Sequence, residues 1–138
     1  MEDASKDLGA GFAVENPVGY LKKARQNRDY FLFFALAVSY FEFYGYQILR
    51  RCYWDKVPDK FKKRKILGAH AIIREMKNQK MISETAYKNM KDINVKRNDI
   101  VHSKTDIHLK YKMDDEGRIL MDNAIAYVDK LKVKYDSI

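Results

Sequence analysis

The most informative segment for the fold is residues 30–54, with the sequence YFLFFALAVSYFEFYGYQILRRCYW. It holds 11 of the 18 aromatic residues, a single glycine and no proline. Ser39 and Glu42 interrupt its apolar run, whereas a membrane-spanning helix needs about 20 predominantly apolar residues. Aromatic side chains spread around much of a helix are typical of one that packs on several sides. We therefore expect residues 20–54 to form a long central helix, broken near residues 27–29, and not a membrane span.

Three further helices are expected after this segment. Residues 66–76 and 86–102 carry apolar side chains at helical spacing, and Ser83 can cap the second of these helices. A last helix is expected to start near Asp122 or Asn123 and to run to Tyr135. These patterns predict an all-α fold, a four-helix up-and-down bundle.

A short β-hairpin-like excursion is expected before the last helix. Residues 107–113 alternate apolar with polar side chains, which is the period of a strand. The acidic stretch at residues 114–117 ends in a glycine and predicts a turn. Residues 118–121 would then form the return strand.

Composition bounds the class of protein. The chain has 138 residues and a net charge of +8, which is typical of one basic globular domain. One cysteine, Cys52, cannot form an internal disulfide and suits a reducing cytosol, so we expect a cytoplasmic protein. Residues 1–16 hold no apolar run typical of a signal peptide and are expected to be a flexible leader to a single helical domain, residues 17–138.

The chemistry is concentrated in residues 96–102, KRNDIVH, at the end of the third predicted helix. Cleavage of RNA by its own 2′-hydroxyl needs a group that accepts the hydroxyl proton, and imidazole titrates near neutral pH. It also needs a donor for the charge that develops on the phosphate, and guanidinium matches phosphate geometry. Arg97 and His102 supply these groups without a metal.

Helical geometry qualifies this site. Asn98 and His102 are four residues apart and share a face, whereas Arg97 and His102 are five apart and diverge by about 140°. Either the helix loosens near Val101, or a second copy completes the site across a two-fold axis. The second option predicts a homodimer.

The motif Arg97-Asn98-x-x-x-His102, with two amphipathic helices before it and one after it, resembles the HEPN superfamily (higher eukaryotes and prokaryotes nucleotide-binding domain) over roughly residues 28–135. The resemblance implies a dimerising all-α bundle in which Arg and His of both chains share a cleft. In many members this cleft is a metal-independent endoribonuclease of toxins, abortive-infection systems or CRISPR-associated proteins. By position, Arg97 would bind the scissile phosphate, Asn98 would orient it, and His102 would transfer protons.

One departure concerns control by a partner. In toxins paired with a nucleotidyltransferase antitoxin, a tyrosine lies two residues after the His, but Lys104 stands there in this chain. That antitoxin is therefore not expected, although another antitoxin or defence-system partner remains open. Other members of the superfamily lack nuclease activity, so a non-catalytic module that binds nucleic acid, nucleotide or protein is the alternative.

Basic side chains near this motif could follow an RNA backbone or form a solvated surface. The candidates for RNA binding are Lys60, Lys62, Lys63, Arg64, Lys65, Lys104 and Lys110. His70 lies among apolar residues and is expected to be partly buried. The histidines and acids show no metal-ligand spacing, and there is no glycine-rich phosphate loop, so no metal or cofactor is predicted.

Overall fold

The computed structural model describes residues 16–102 and 114–138. Within these ranges the protein is all-helical, with six α-helices and no strand, which confirms the predicted all-α class. The leader, residues 1–16, lies outside the described residues except for Asn16. A π-helical turn, Leu49–Tyr53, and a 3-10 turn, Trp54–Lys56, follow the second helix. The α-helices are α1 Pro17–Gln26, α2 Tyr30–Ile48, α3 Asp59–Lys62, α4 Ala69–Asn78, α5 Glu84–His102 and α6 Asp115–Asp136.

The predicted break in the first helix is confirmed at the junction of α1 and α2. Arg28 has a φ of 57°, a left-handed conformation that ends a right-handed helix. Asp29 then caps α2, because its carboxylate accepts the Leu32 N–H at 3.1 Å. Two local signals therefore end α1 and start α2.

Helix α2 lies at the centre of the fold and packs against α1, α4, α5 and α6. Its phenylalanines Phe33, Phe34 and Phe41 are fully buried. Gly45 permits a close approach to α4, because a Cβ there would lie 2.9 Å from atoms of both Ile72 and Met76. The buried aromatic side chains of α2 belong to the main hydrophobic core of the described residues and contribute to its hydrophobic stabilisation.

One helical stretch in the described ranges, Tyr30–Lys56, is long and apolar enough to cross a membrane by length and composition alone. In its most apolar 18-residue window, 61% of the residues are buried inside the protein. Burial of this kind is what the core helix of a soluble protein shows, and the fold is compatible with a soluble protein.

The predicted boundaries around α4 and α5 hold with one shift. Helix α4 begins at Ala69, three residues after the expected start at Ile66, which is exposed in the preceding segment. Ser83 caps α5 as predicted, with its Oγ accepting the Ala86 N–H at 3.0 Å. Helix α5 then continues to His102.

The predicted return strand, residues 118–121, is wrong: these residues belong to α6, which begins at Asp115 and not near Asp122. The Asp114 carboxylate accepts the Gly117 N–H at 2.7 Å and caps this helix. Acidic residues in the first turn add favourable interactions with the helix dipole. The stretch that predicted a hairpin turn is thus a helix start. The other predicted strand, residues 107–113, lies outside the described residues.

Candidate functional site at the end of helix α5

Helix α5 stays α-helical through Val101 to His102, so it does not loosen within its described length. Ile93 and Ile100 are buried against the core. Arg97 is four residues after the first and three before the second, and therefore lies on the same, core-facing side. His102 points about 140° away from Arg97 and is exposed. Within one chain, the two proposed catalytic side chains are thus on different sides of α5.

Arg97 is half-buried, and its guanidinium is only partly bonded. Its Nη2 donates a hydrogen bond of 3.1 Å to Oδ1 of Asn94, which is itself buried. Its Nε is buried and donates no hydrogen bond to any described residue. A buried donor without a partner lowers the stability of the folded state by about 1–3 kcal/mol compared with one that is bonded.

Glu42 on α2 lies close enough to the same guanidinium to interact with its positive charge. Burial raises the pKa of Glu42 above its ordinary value of 4.5, and the positive charge of Arg97 partly lowers it again. The distance between them exceeds that of an ion pair, because no Arg97 bridge occurs among the described residues. Asp92 and Asp99, the acidic residues nearest to Arg97 on α5, are likewise not bridged to it.

Glu42 was not among the residues that the sequence predicted for the site. The available signal was an acidic residue inside an otherwise apolar helix, a position where an unpaired carboxylate is unfavourable. From the sequence, Glu42 indicated only that the apolar run is interrupted, which disfavours a membrane span. Its nearness to Arg97 depends on the packing of α2 against α5, which local patterns do not show.

Asn98 and His102 share one face of α5, as their spacing predicts. Asn98 is half-buried and His102 is exposed. Val95 shares this face and is 54% exposed, and Val101 next to His102 is 38% exposed. The end of α5 thus combines polar groups with uncovered aliphatic surface.

The structure divides the predicted RNA-binding residues into three groups. Lys60 and Arg64 line a cavity between α3 and α4, and Arg64 also lines a second cavity together with Lys65 and Glu42. Lys62 lies over the ring of Trp54, and Lys63 is exposed. Lys104 and Lys110 lie outside the described residues. Arg64 and Lys65 therefore lie near Glu42, the carboxyl on α2 that interacts with Arg97.

His70 is exposed on α4, so the expectation that it is partly buried is wrong. It occupies the first turn of a helix whose buried side carries Ala69, Ile72 and Ile73. It is about 100° from Ala69 and about 60° from Ile73 around the helix, so it lies at the edge of the buried side, where it lines the cavity between α3 and α4. In the described ranges, no group of three or more His, Cys, Asp or Glu side chains is arranged to hold a metal ion.

Comparison of the chain with protein-family models, curated proteins and solved structures finds no match. The resemblance to HEPN proteins therefore rests on the Arg97-to-His102 motif and on its position at the end of a helix.

Proposed function

We propose that the protein is a homodimeric, metal-independent endoribonuclease of the HEPN type. The observation that carries this proposal is the Arg97 guanidinium, which is held near Glu42 and Asn94 but retains donors that bond no described residue. Arginine has five N–H donors in a planar fork, and a half-buried site with spare donors favours an anion with several acceptor oxygens, such as phosphate. An exposed His102 at the end of the same helix supplies the group for proton transfer.

In the proposed reaction, His102 accepts the proton of an RNA 2′-hydroxyl, and the 2′-oxygen attacks the adjacent phosphorus. The bond from phosphorus to the 5′-oxygen of the next nucleotide breaks, and this oxygen leaves as a hydroxyl with the proton that the His102 imidazolium returns. The products carry a 2′,3′-cyclic phosphate and a 5′-hydroxyl. Arg97 stabilises the charge on the phosphate oxygens, and Asn98 orients the phosphate.

The active site is composite in this proposal. Because Arg97 and His102 lie on different sides of a continuous helix, Arg97 of one chain works with His102 of its partner across a two-fold axis. The exposed Val95 and Val101 supply apolar contact between two α5 helices. We infer that helices α2, α4, α5 and α6 form the four-helix HEPN bundle and that the basic segment at residues 60–65, with Lys104 and Lys110, follows the RNA backbone.

The first experiment tests the chemistry. Single-stranded RNA is incubated with the protein in EDTA, and the product ends are analysed for 2′,3′-cyclic phosphate. His102→Ala is expected to abolish cleavage, whereas Asp92→Ala, which changes an exposed side chain on the same helix, is expected to leave it intact. Cleavage that persists in His102→Ala would refute the assignment.

The second experiment tests the composite site. Arg97→Met and His102→Ala chains are each inactive alone, but a mixed dimer contains one complete site, formed by the intact Arg97 of one chain and the intact His102 of the other. Random pairing gives about half mixed dimers, so about a quarter of wild-type activity should return on mixing. If both residues acted within one chain, mixing would restore no activity.

The alternative is a non-catalytic HEPN-like module that binds nucleic acid, nucleotide or a protein partner. A half-buried Arg97 that is bonded to Asn94 and retains spare donors would also suit binding of an anion without turnover. This alternative predicts retention of RNA without cleavage, with Arg97→Met lowering the affinity and His102→Ala having little effect. On either account we propose a cytoplasmic protein in a toxin or antiviral defence setting, with a possible antitoxin or defence-system partner.

A further inference from the structure

A cavity of about 200 Å³ lies between α3 and α4, away from α5. Lys60 and Arg64, four residues apart, line one side of it, and His70 and Arg74, four residues apart on α4, line the other. Pro58 also contributes to its lining. Two basic pairs from different segments therefore meet around one small concave site.

The positive charge of this cavity is only partly neutralised by the described residues. Lys60, Arg64 and Arg74 form no ion pair with any residue in the described ranges. The single carboxylate in the lining, Glu75, is only 5% exposed and accepts a hydrogen bond of 2.7 Å from the uncharged Gln79 Nε2, so it can offset one of the three permanent positive charges. Three permanent cations around one cavity repel each other, and a bound anion would relieve this repulsion.

We propose that this cavity binds a phosphomonoester, the terminal phosphate of an RNA strand or of a mononucleotide. A phosphomonoester carries a charge of about −1.5 to −2 at neutral pH and three acceptor oxygens, which suit the forked donors of Arg64 and Arg74. The cavity accommodates the phosphate, while the attached nucleoside extends into solvent. The proposal concerns binding alone and is independent of whether the protein cleaves RNA.

The first arm of the test uses small ligands and the full chain. Binding of 5′-AMP and of adenosine is measured by calorimetry, and only 5′-AMP is expected to bind. Arg64→Gln and Arg74→Gln are each expected to weaken 5′-AMP binding by about tenfold. Lys60→Gln is compared with Lys63→Gln, because both remove one charge from the same segment but only Lys60 lines the cavity.

The second arm distinguishes the two sources of the phosphate. Decamers of 2′-O-methyl RNA, which lack the attacking hydroxyl, are prepared with a 5′-phosphate or a 5′-hydroxyl. A 5′-phosphate that tightens binding by about tenfold identifies an RNA end as the ligand. If 5′-AMP binds more tightly than adenosine but the 5′-phosphate does not tighten binding of the decamer, the ligand is a free mononucleotide. This outcome also supports the site.

The proposal is overturned if adenosine binds as tightly as 5′-AMP, or if Lys63→Gln weakens binding as much as Lys60→Gln. The latter outcome would mean that the general positive field of the protein attracts the anion. Because neither arm measures cleavage, a failure of the ribonuclease assignment leaves these results unchanged.

Discussion

Replacing Arg97 with methionine tests whether its guanidinium serves the fold or a ligand. Methionine keeps an unbranched side chain and removes the charge. The hydrogen bond to Asn94 is lost, which costs about 1.5–3 kcal/mol for a charged donor. The buried Nε that bonds no described residue is removed as well, which returns about 1–3 kcal/mol. The two terms nearly cancel, so the variant should lose no more than about 1 kcal/mol of unfolding free energy where Glu42 is protonated.

The effect of this substitution should grow with pH. Burial raises the pKa of Glu42 above 4.5 and Arg97 partly lowers it, so the pKa rises further in Arg97→Met. The native state then binds a proton that the unfolded state has released. Stability is therefore lost as the pH rises from about 4.5 through the folded-state pKa, and the loss is larger in the variant than in the wild type.

The assay is urea unfolding at pH 4.5 and pH 7, followed by the fluorescence of the single tryptophan, Trp54. His102→Ala is the matched variant, and because His102 is exposed we expect a change within about 1 kcal/mol at pH 7. Both variants should lose RNA cleavage. If Arg97→Met lowers the unfolding free energy by about 3 kcal/mol or more at both pH values, this reasoning is refuted. The guanidinium would then be required for the fold, with its donors bonded inside the protein.

Three further substitutions test the packing and electrostatics around the site. Gly45→Ala places a Cβ 2.9 Å from atoms of Ile72 and Met76, and overpacking of about 1–3 kcal/mol should exceed the gain of about 1 kcal/mol in helix propensity. Calorimetry should show a lower Tm, and a higher Tm would contradict the close approach of α2 and α4. Asp114→Ala removes the cap of α6 and should lower the unfolding free energy, measured by urea unfolding, by about 1 kcal/mol. Asp114→Asn keeps a capping oxygen and should retain most of this stability. Glu42→Gln removes the group with the raised pKa, so unfolding free energy measured between pH 4.5 and pH 7 should fall less steeply than in the wild type; an unchanged slope would argue against the burial of this carboxyl.

Features set by neighbouring residues were predictable from the sequence. The break before α2 and the cap of α5 both follow from short-range contacts, through Arg28 and Ser83. The start of α6 was mispredicted because an acidic stretch ending in glycine suits both a hairpin turn and a capped helix start. The buried residues Leu120 and Met121 fall within the helical period of α6, but a short apolar segment does not separate helix from strand.

The candidate site was predictable only along one helix. The spacing of Arg97 from Ile93 and Ile100 already places its side chain towards the core. Its relation to Glu42 was not predictable, because it arises when α2 packs against α5 and depends on long-range contacts. The same limit applies to the cavity of Arg64 and Arg74, whose two basic pairs come from separate segments.

Arg64 connects the two proposed sites, because it lines both the phosphate cavity and the cavity that contains Glu42. If the cavity holds the terminal phosphate of an RNA strand, the strand would pass Glu42 on its way to Arg97. A carboxylate on this path would repel the phosphates, and burial of Glu42 raises its pKa and so favours the neutral form. Arg64 and Lys65 line the same cavity as Glu42, and their positive charges would offset this repulsion along the strand.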